Sequence, residues 1–167
     1  KDENIIDALC DSKTIEGRMD VLYNQEYTIV LDYAHTPDAM ERIIKETNKI
    51  KKGECFVLFG CGGNRDTSKR RIMGKLASQY ADKIYLTNDN PRFESENKII
   101  EDILEGITNK DKVVINIDRA QAIKMAISNL KKGDILLILG KGHEDYQIIK
   151  DKKIPFSDKE KTLKYLR

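Results

Sequence analysis

The residues whose types could do chemistry are concentrated in five short segments, each of which directly follows an apolar run. The segments are DYAHTPD at 32–38, GCGGNRD at 60–66, NDNPR at 88–92, DR at 118–119 and GKGHED at 140–145. They combine carboxylates, guanidinium groups, carboxamides and glycines, which are the groups that proteins use to bind small charged molecules. The pattern therefore indicates recognition of a charged ligand.

The NDNPR segment has the composition of a binding site for an amino acid. The Arg92 guanidinium can hold a carboxylate through two parallel hydrogen bonds, and the Asp89 carboxylate can accept an ammonium group. Asn90 adds a carboxamide, and Pro91 fixes the local backbone and removes a donor. An Asx turn that caps a helix near Glu96, with Arg92 in solvent, explains the same residues equally well.

The glycine-rich GCGGNRD segment lies between a predicted strand and a predicted helix, where bare backbone N–H groups can bind a phosphate or a carboxylate. It matches neither of the common phosphate-binding patterns, GxGxxG and GxxxxGK[ST]. A glycine turn with a purely conformational role is an equal alternative. Arg65 and Lys69 shift the interpretation towards an anion.

The GKGHED segment follows the most apolar predicted strand, and its glycines leave the backbone free to close around a bound group. Glu144 is a second candidate acceptor for an ammonium group. A single histidine such as His35 or His143 is more often structural than a ligand. Because these two histidines have no nearby cysteine and no paired spacing, we predict no metal site.

Apolar runs of strand length alternate with amphipathic runs of helix length along the chain. We predict strands at 28–31, 55–59, 83–87, 113–117 and 135–139, with a further fringe strand near 20–23. Helices are predicted at 37–50, 67–80, 96–107, 120–130 and 158–166. This alternation is typical of an α/β fold with a mostly parallel sheet between helices. The carboxyl ends of parallel strands meet at one edge, so we expect the five polar segments to converge there.

Length and composition narrow the class of protein. The chain has 167 residues, the size of one ordinary domain. A net charge of only +2 excludes a strongly basic nucleic-acid arm as the main feature. No apolar run of about 18 residues and no signal peptide is present, so we expect a cytoplasmic protein without a nucleic-acid or membrane partner. Cys10, Cys55 and Cys61 form no CxxC pair and are expected to be reduced thiols.

The first residue is Lys1 and not Met, which suggests a piece of a longer polypeptide. Residues 1–16 contain one short helical stretch and lack the alternating pattern. We interpret them as the tail of a preceding domain or a linker. Residues 17–167 then form the domain that carries the polar segments.

Seven segments together resemble the Mur ligase family. They are Gly17-Arg18-Met19, DYAHTPDA at 32–39, FGCGGNRD at 59–66, DNPR at 89–92, DRAQAI at 118–123, GKGHEDYQ at 140–147 and FSD at 156–158. They occur in the family's order, and the similarity is to the C-terminal, amino-acid-binding domain of members that add the third residue of the peptidoglycan stem peptide. The resemblance implies a Rossmann-like domain over residues 17–167, with a mostly parallel sheet of about six strands.

The resemblance implies one domain of an ATP-dependent amide-bond ligase that also uses Mg²⁺. In that reaction ATP phosphorylates the γ-carboxylate of the D-Glu in UDP-MurNAc-L-Ala-D-Glu, and the amine of a diamino acid attacks the acyl phosphate. DNPR is similar to the form of the motif found with meso-diaminopimelate, whereas lysine-adding relatives usually lack its arginine. The implied substrate is therefore meso-diaminopimelate or a close analogue, such as a thioether-bridged one.

The family's binding residues can be carried over position by position. The substrate-binding positions correspond to Arg65, Asp89, Asn90, Pro91, Arg92, Gly140 and Glu144. The resemblance implies that the two arginines hold carboxylates of the incoming amino acid, while the Gly140 carbonyl and the Glu144 carboxylate hold an ammonium group. Asn64 replaces the aspartate of many relatives and keeps an acceptor.

The nucleotide-binding positions correspond to three further residues. Asp32 is implied to approach the ATP ribose, and Arg18 and His35 to lie near the phosphates. The family's GxxGKT phosphate loop, Mg²⁺ ligands and carbamoylated lysine belong to its central domain, and no GxxGKT occurs in this sequence. We therefore expect no ligation by these 167 residues alone. A folylpolyglutamate synthase-like ligase domain and a non-catalytic nucleotide-binding α/β domain are the alternatives.

Overall fold

A six-stranded sheet forms the centre of the computed structural model, which describes residues 16–166. The strands are β1 Asp20–Asn24, β2 Thr28–Asp32, β3 Cys55–Phe59, β4 Lys83–Leu86, β5 Val113–Ile115 and β6 Ile135–Leu139. Their order across the sheet is β1-β2-β6-β3-β4-β5. β1 pairs antiparallel with β2, and all other pairs are parallel. The last strand of the sheet is therefore inserted between the second and the third.

Five helices cover the two faces of the sheet in the part of the chain that the structure describes. They are α1 Pro37–Ile50, α2 Ser68–Tyr80, α3 Glu96–Leu104, α4 Arg119–Ser128 and α5 Asp158–Tyr165. Buried residues of α1, α2 and α3 pack on one face, against strand residues such as Val57 and Leu137. α4 packs on the opposite face, against the alternate strand residues Leu58 and Ile138, with Tyr165 of α5 beside it. Since successive side chains of a strand point to opposite faces, fully apolar strands supply both cores.

Short polar side chains start three of the helices at the carboxyl edge of the sheet. Thr36 Oγ1 accepts a hydrogen bond from the Ala39 N–H at 3.4 Å, and proline follows as the first residue of α1. Asp66 Oδ1 accepts from the Ser68 N–H at 2.9 Å. Asp118 Oδ1 accepts from the Ala120 N–H at 2.9 Å. Asp66 precedes the N-cap residue Thr67, whereas Thr36 and Asp118 are themselves N-caps. All three bonds satisfy N–H groups that a helix leaves unpaired, and the three helix N-termini lie along the same edge.

The predicted α/β fold and mostly parallel sheet are confirmed, and three local expectations are corrected. The 113–117 strand ends at Ile115 and is partly exposed, because it lies at the edge of the sheet. α3 ends at Leu104 and not at residue 107. Gly106, just beyond this end, packs closely against the Arg71 carbonyl oxygen. A hairpin, β7 Tyr146–Ile149 and β8 Lys152–Pro155, was not predicted. The expected short helical stretch within residues 1–15 lies outside the described residues.

The two cysteines in the described part of the chain, Cys55 and Cys61, are free and buried. Burial raises the pKa of both thiols to about 12. None of the helices in residues 16–166 has the length and apolarity needed to cross a bilayer. The same residues contain no group of three or more His, Cys, Asp or Glu side chains arranged to hold a metal ion.

Candidate amino-acid site

A cavity of about 520 Å³ opens at the carboxyl ends of β2, β3, β4 and β6. It is lined by Tyr33, His35, Gly62, Arg65, Asp66, Lys69, Asp89, Asn90, Arg92, Gly140, Glu144 and Tyr146. Four of the five polar segments predicted to converge therefore do so around one space. The fifth, Asp118-Arg119, does not line it: Asp118 caps α4, and the Arg119 side chain is buried.

The two candidate carboxylate-binding arginines both lie close to Gly62. A Cβ atom at that glycine would lie 3.1 Å from Arg92 Nη1 and 3.7 Å from Arg65 Cγ. Arg92 Nη1 donates to the Gly63 carbonyl at 2.9 Å and to the Asn90 carbonyl at 3.3 Å. These bonds orient the guanidinium against the cavity wall. One region of the cavity is thus positively charged and suited to a carboxylate.

The structure does not support an Asx-turn cap with Arg92 in solvent. The residue at the N-cap of α3 is Ser95, and its side chain makes no capping hydrogen bond. Arg92 is half-buried and has a φ of 53°. A positive φ is unfavourable for a residue with a side chain, so the surrounding contacts must maintain it.

Asp89 and Gly140, together with Glu144, form the acidic region of the cavity lining. Only 9% of Asp89 is exposed, and burial raises the pKa of its carboxyl above the usual value, against the opposing effect of Arg119 and Lys141. Gly140 has a φ of 110°, and a Cβ atom there would lie 2.8 Å from Asp89 Oδ2. The absent side chain therefore brings the Gly140 backbone next to the Asp89 carboxylate, as a site for one ammonium group requires.

The Asn90 side chain connects Glu144, Lys141 and the backbone of Ile148. Its Nδ2 donates to Glu144 Oε2 at 3.0 Å, and its Oδ1 accepts from Lys141 Nζ at 3.3 Å and from the Ile148 N–H at 2.9 Å. Lys141 is fully buried and also donates to Glu144 Oε2, at 3.0 Å. The buried Lys141 ammonium therefore holds the Glu144 carboxylate and the Asn90 amide oxygen in place.

The unpredicted hairpin holds the DNPR backbone in place. The Arg92 N–H donates to the Ile148 carbonyl at 3.0 Å, and the Lys150 N–H donates to the Arg92 carbonyl at 2.7 Å. Gln147 Nε2 donates to the Asp89 carbonyl at 3.0 Å. These bonds, together with the one from Ile148 to the Asn90 side chain, explain how the positive φ of Arg92 is maintained.

Substitution of Asn90 by alanine is expected to loosen this hairpin. The change removes the acceptor of the Ile148 N–H and both contacts to Lys141 and Glu144, and unsatisfied buried groups cost about 1–3 kcal/mol. We expect amide hydrogen exchange in residues 146–155 to accelerate about tenfold or more, as measured by mass spectrometry. Asn97→Ala, at an exposed position of α3, is the matched control. Unchanged exchange in the hairpin would contradict the assigned role of Asn90.

A buried arginine fixes the GCGGNRD segment. Arg70 of α2 is fully buried, and its Nη2 donates to the Gly62 carbonyl at 3.1 Å. It also pairs with Glu94 at 2.6 Å, and Glu94 Oε2 accepts from the Asn64 N–H at 2.9 Å. Asn64 Oδ1 in turn accepts from the Phe93 N–H at 3.0 Å, so asparagine keeps the acceptor expected at this position.

The glycines of this segment serve loop packing as well as the cavity. A Cβ atom at Gly60 would lie 2.1 Å from the Thr87 carbonyl oxygen, and one at Gly63 would lie 1.9 Å from the Pro91 carbonyl oxygen. Both distances are too short for a Cβ atom, so neither position can carry a side chain. Gly62, by contrast, faces the cavity. The conformational interpretation of the glycine turn therefore applies to Gly60 and Gly63, whereas anion binding by the backbone at Gly62 stays a prediction.

Alanine at Gly63 is expected to destabilise the fold, whereas alanine at Gly62 is expected to leave it intact. The new methyl group at Gly63 meets backbone, and such overpacking costs about 1–3 kcal/mol. At Gly62 the shortest contact, 3.1 Å to Arg92 Nη1, is to the end of a side chain, and the distances of 3.7 Å to Arg65 Cγ and 3.9 Å to the Asn90 carbonyl oxygen are ordinary contacts. Chemical denaturation of the two variants tests this difference. Equal loss of stability in both variants would show that the Pro91 carbonyl oxygen does not exclude a side chain at residue 63.

The three candidate nucleotide residues gather around Tyr33. The Arg18 guanidinium lies 5.3 Å from the centre of the Tyr33 ring, and the His35 ring lies 4.6 Å from it. Asp32 accepts backbone N–H bonds from Met19 at 2.8 Å and from Ala34 at 2.7 Å. Of the three, only His35 lines the cavity described above. The structure thus shows Asp32 organising the backbone, and its role towards a ribose stays a prediction.

Most of the predicted substrate residues meet at one cavity. Arg65, Asp89, Asn90, Arg92, Gly140 and Glu144 line it, whereas Pro91 lines a neighbouring cavity instead. The sequence reasoning missed Tyr33 and Tyr146 in the lining and the buried Lys141 behind it. Tyr146 and Lys141 occur within the GKGHEDYQ segment, so their place in that motif was the available signal. The hydrogen bond from Gln147 to the Asp89 carbonyl could not be predicted, because it depends on the position of the hairpin.

Comparison with known proteins places the chain in a family. Residues 17–142 match the family described as "Mur ligase, glutamate ligase domain". The chain belongs to the Mur ligase family. A UDP-N-acetylmuramoyl-L-alanyl-D-glutamate--2,6-diaminopimelate ligase from Aquifex aeolicus (strain VF5) is 56% identical over 144 residues, which cover 86% of this chain and 30% of that protein. The enzyme of the same name from Rickettsia bellii (strain RML369-C) is 50% identical over 158 residues, 93% of this chain and 33% of that protein.

Solved structures support the same placement of this Mur ligase chain. A UDP-N-acetylmuramoyl-L-alanyl-D-glutamate--2,6-diaminopimelate ligase structure aligns with a TM-score of 0.86 and 35% identity, covering 97% of this chain and 34% of that one. A bifunctional folylpolyglutamate synthase/dihydrofolate synthase from Yersinia pestis, solved with AMPPNP and a manganese ion, aligns with a TM-score of 0.65 and 20% identity, covering 84% of this chain and 32% of that one. The second likeness shows a shared fold. The chain spans about a third of the length of these relatives.

Proposed function

We propose that this chain is the amino-acid-binding domain of an ATP-dependent ligase that adds meso-diaminopimelate, or a close analogue, to UDP-MurNAc-L-Ala-D-Glu. The observation that carries the proposal is that two guanidinium groups and two carboxylates line one cavity. Arg65 and Arg92 lie beside Gly62, Asp89 lies beside Gly140, and Glu144 lines the same cavity. A ligand with carboxylates and ammonium groups at both ends matches this arrangement.

The buried charges near the acidic region favour a cationic group on the ligand. The pKa of the buried Asp89 carboxyl is influenced by two further carboxylates, Glu144 and Asp158, and by two cations, Arg119 and Lys141, which makes five charged groups in all. One negative charge is thus left over when every group is ionised. An ammonium group placed between Asp89 and Glu144 would neutralise it, which a neutral ligand could not do.

This chain has residues that could contact ATP, but it supplies no group of ligands for Mg²⁺ in residues 16–166. Arg18 and His35 share Tyr33 at the edge of the cavity, where they could contact an anionic phosphate. No metal-binding cluster is found in residues 16–166, so the proposal assigns the Mg²⁺ ligands to a part of the ligase beyond these residues. The role of this chain is to bind the amino acid and hold it in one orientation.

Discrimination between diaminopimelate and lysine tests the proposal. Isothermal titration calorimetry on a full-length polypeptide that contains this chain is expected to detect meso-diaminopimelate and little or no L-lysine. Lysine lacks the second carboxylate, so binding it would leave an arginine without its partner. A full-length polypeptide that binds neither amino acid would refute the proposal. Ligation by the 167 residues alone would refute the view that they contribute only part of the site.

A further inference from the structure

The DRAQAI and FSD segments, which line no part of the cavity, meet beneath it. Arg119 is the first residue of α4, and Asp158 is the first residue of α5. Both side chains are fully buried. Arg119 Nε and Nη2 donate to the two carboxylate oxygens of Asp158, each at 2.7 Å. A two-pronged ion pair therefore joins the N-termini of the two helices.

The same guanidinium also contacts the two loops that carry the acidic region of the site. Arg119 Nη1 donates to the Asn88 carbonyl at 3.0 Å, and Nη2 donates to the Leu139 carbonyl at 3.0 Å. Asn88 directly precedes Asp89, and Leu139 directly precedes Gly140. Asn88 follows β4, and Leu139 is the last residue of β6; these two strands are separated in the sheet by β3. Arg119 thus connects two loops across the end of the strand between them.

Stability alone is a weak reason for this arrangement. Replacing a buried ion pair by apolar residues of similar size is often neutral or stabilising, because the desolvation of both charges offsets their attraction. An apolar pair could fill the same space but could not bond to the two carbonyl groups. What the guanidinium adds is a planar set of donors that holds one carboxylate and two backbone oxygens at fixed positions.

We propose that Arg119, held by Asp158, is a positioning residue that sets the separation between Asp89 and the turn containing Gly140 and Glu144. The proposal rests on the proposed function, because these residues are the ones assigned to the ammonium group of the amino acid. The separation leaves little tolerance, since a Cβ atom at Gly140 would lie 2.8 Å from Asp89 Oδ2. Release of either carbonyl lets the acidic groups move apart and weakens their joint hold on one cation.

The test uses the full-length polypeptide with Arg119→Met and Asp158→Leu combined. This double variant removes both charges together, so neither is left buried and unpaired. We expect the KM for the amino acid to rise about tenfold, since a displacement of about 1 Å is enough to lose much of a binding interaction. The kcat at saturating amino acid and the KM for ATP are expected to change less than about twofold.

Two further variants separate positioning from folding. Arg119→Lys keeps a charge opposite Asp158 but cannot reach both carbonyls from one ammonium, so it should also raise the amino-acid KM. Ile127→Ala in the core face of α4 should lower the melting temperature and leave that KM unchanged. An unchanged KM in the double variant would overturn the proposal. If the double variant does not fold, an unchanged KM in Arg119→Lys overturns it. Failure of the unmodified polypeptide to use any amino acid would instead refute the proposed function.

Discussion

Replacement of Arg92 by alanine in the full-length polypeptide is expected to weaken meso-diaminopimelate binding about 100-fold. The guanidinium is held against the cavity wall by the Gly63 and Asn90 carbonyls, so it is already oriented before the ligand arrives. Loss of a partly buried partner for a carboxylate costs about 2–4 kcal/mol, and about 1.4 kcal/mol corresponds to tenfold in affinity. Calorimetry or the KM for diaminopimelate measures the effect.

Two control variants make the Arg92 result specific. Arg92→Lys keeps the charge and loses the planar pair of donors, so it should recover only part of the affinity. Arg71→Ala removes an exposed arginine of α2 that does not line the cavity, and it should leave binding unchanged. The Arg92→Ala variant should also lose most of its preference for diaminopimelate over lysine. If the variant keeps that preference, Arg92 does not bind the second carboxylate of diaminopimelate.

The affinity for diaminopimelate is expected to decrease as the pH is lowered into the range of the raised pKa of Asp89. Burial raises the pKa of this carboxyl, and the negative charges of Glu144 and Asp158 act in the same direction, against Arg119 and Lys141. Below the raised pKa the empty site carries a proton on Asp89. Because an ammonium group prefers the ionised carboxylate, binding must then release this proton, which lowers the affinity by up to about tenfold per pH unit.

Substitution of Asp89 by asparagine should weaken binding and remove this part of the pH dependence. It should also stabilise the ligand-free protein at neutral pH. The folded-state pKa of Asp89 lies above the ordinary value of 3.8, so the folded state binds more protons, and stability is lost as the pH rises from that value through the raised pKa. Asparagine fills the same space without a charge to bury.

Calorimetry in buffers of different ionisation enthalpy counts the released protons, and thermal melting measures the stability. Asp145→Asn, at an exposed position nearby, should change neither the pH dependence nor the melting temperature. An Asp89→Asn variant that binds diaminopimelate with the unmodified pH dependence would contradict the assignment of Asp89 to the ammonium group.

The helices and central strands were accessible to sequence reasoning because their signals are local. A run such as Cys55–Phe59 is apolar at every position, as expected of a strand buried on both faces. Thr36 followed by proline marks the start of α1. Glycines between a strand and a helix likewise showed where the backbone would turn. Each of these preferences depends on residues within a few positions of one another.

The hairpin Tyr146–Ile149 and Lys152–Pro155 had no comparable signal. All of β8 is exposed, and β7 is only partly buried, so neither strand has a clear alternation of apolar and polar residues. The partners of β7 outside the hairpin are the backbone and side chains of the DNPR loop, more than 50 positions away. Such contacts are set by the way the loops meet in space.

The sequence by itself determined the elements, the family resemblance and the charge types available at the carboxyl edge of the sheet. The tertiary structure decided which of those charges share a cavity. Insertion of β6 between β2 and β3 brings Gly140 and Glu144 to the DNPR loop, and Arg119 spans the end of β3 to hold Asp89 beside them. Strand order and buried ion pairs depend on contacts between distant residues, and local preferences of the chain do not encode those contacts.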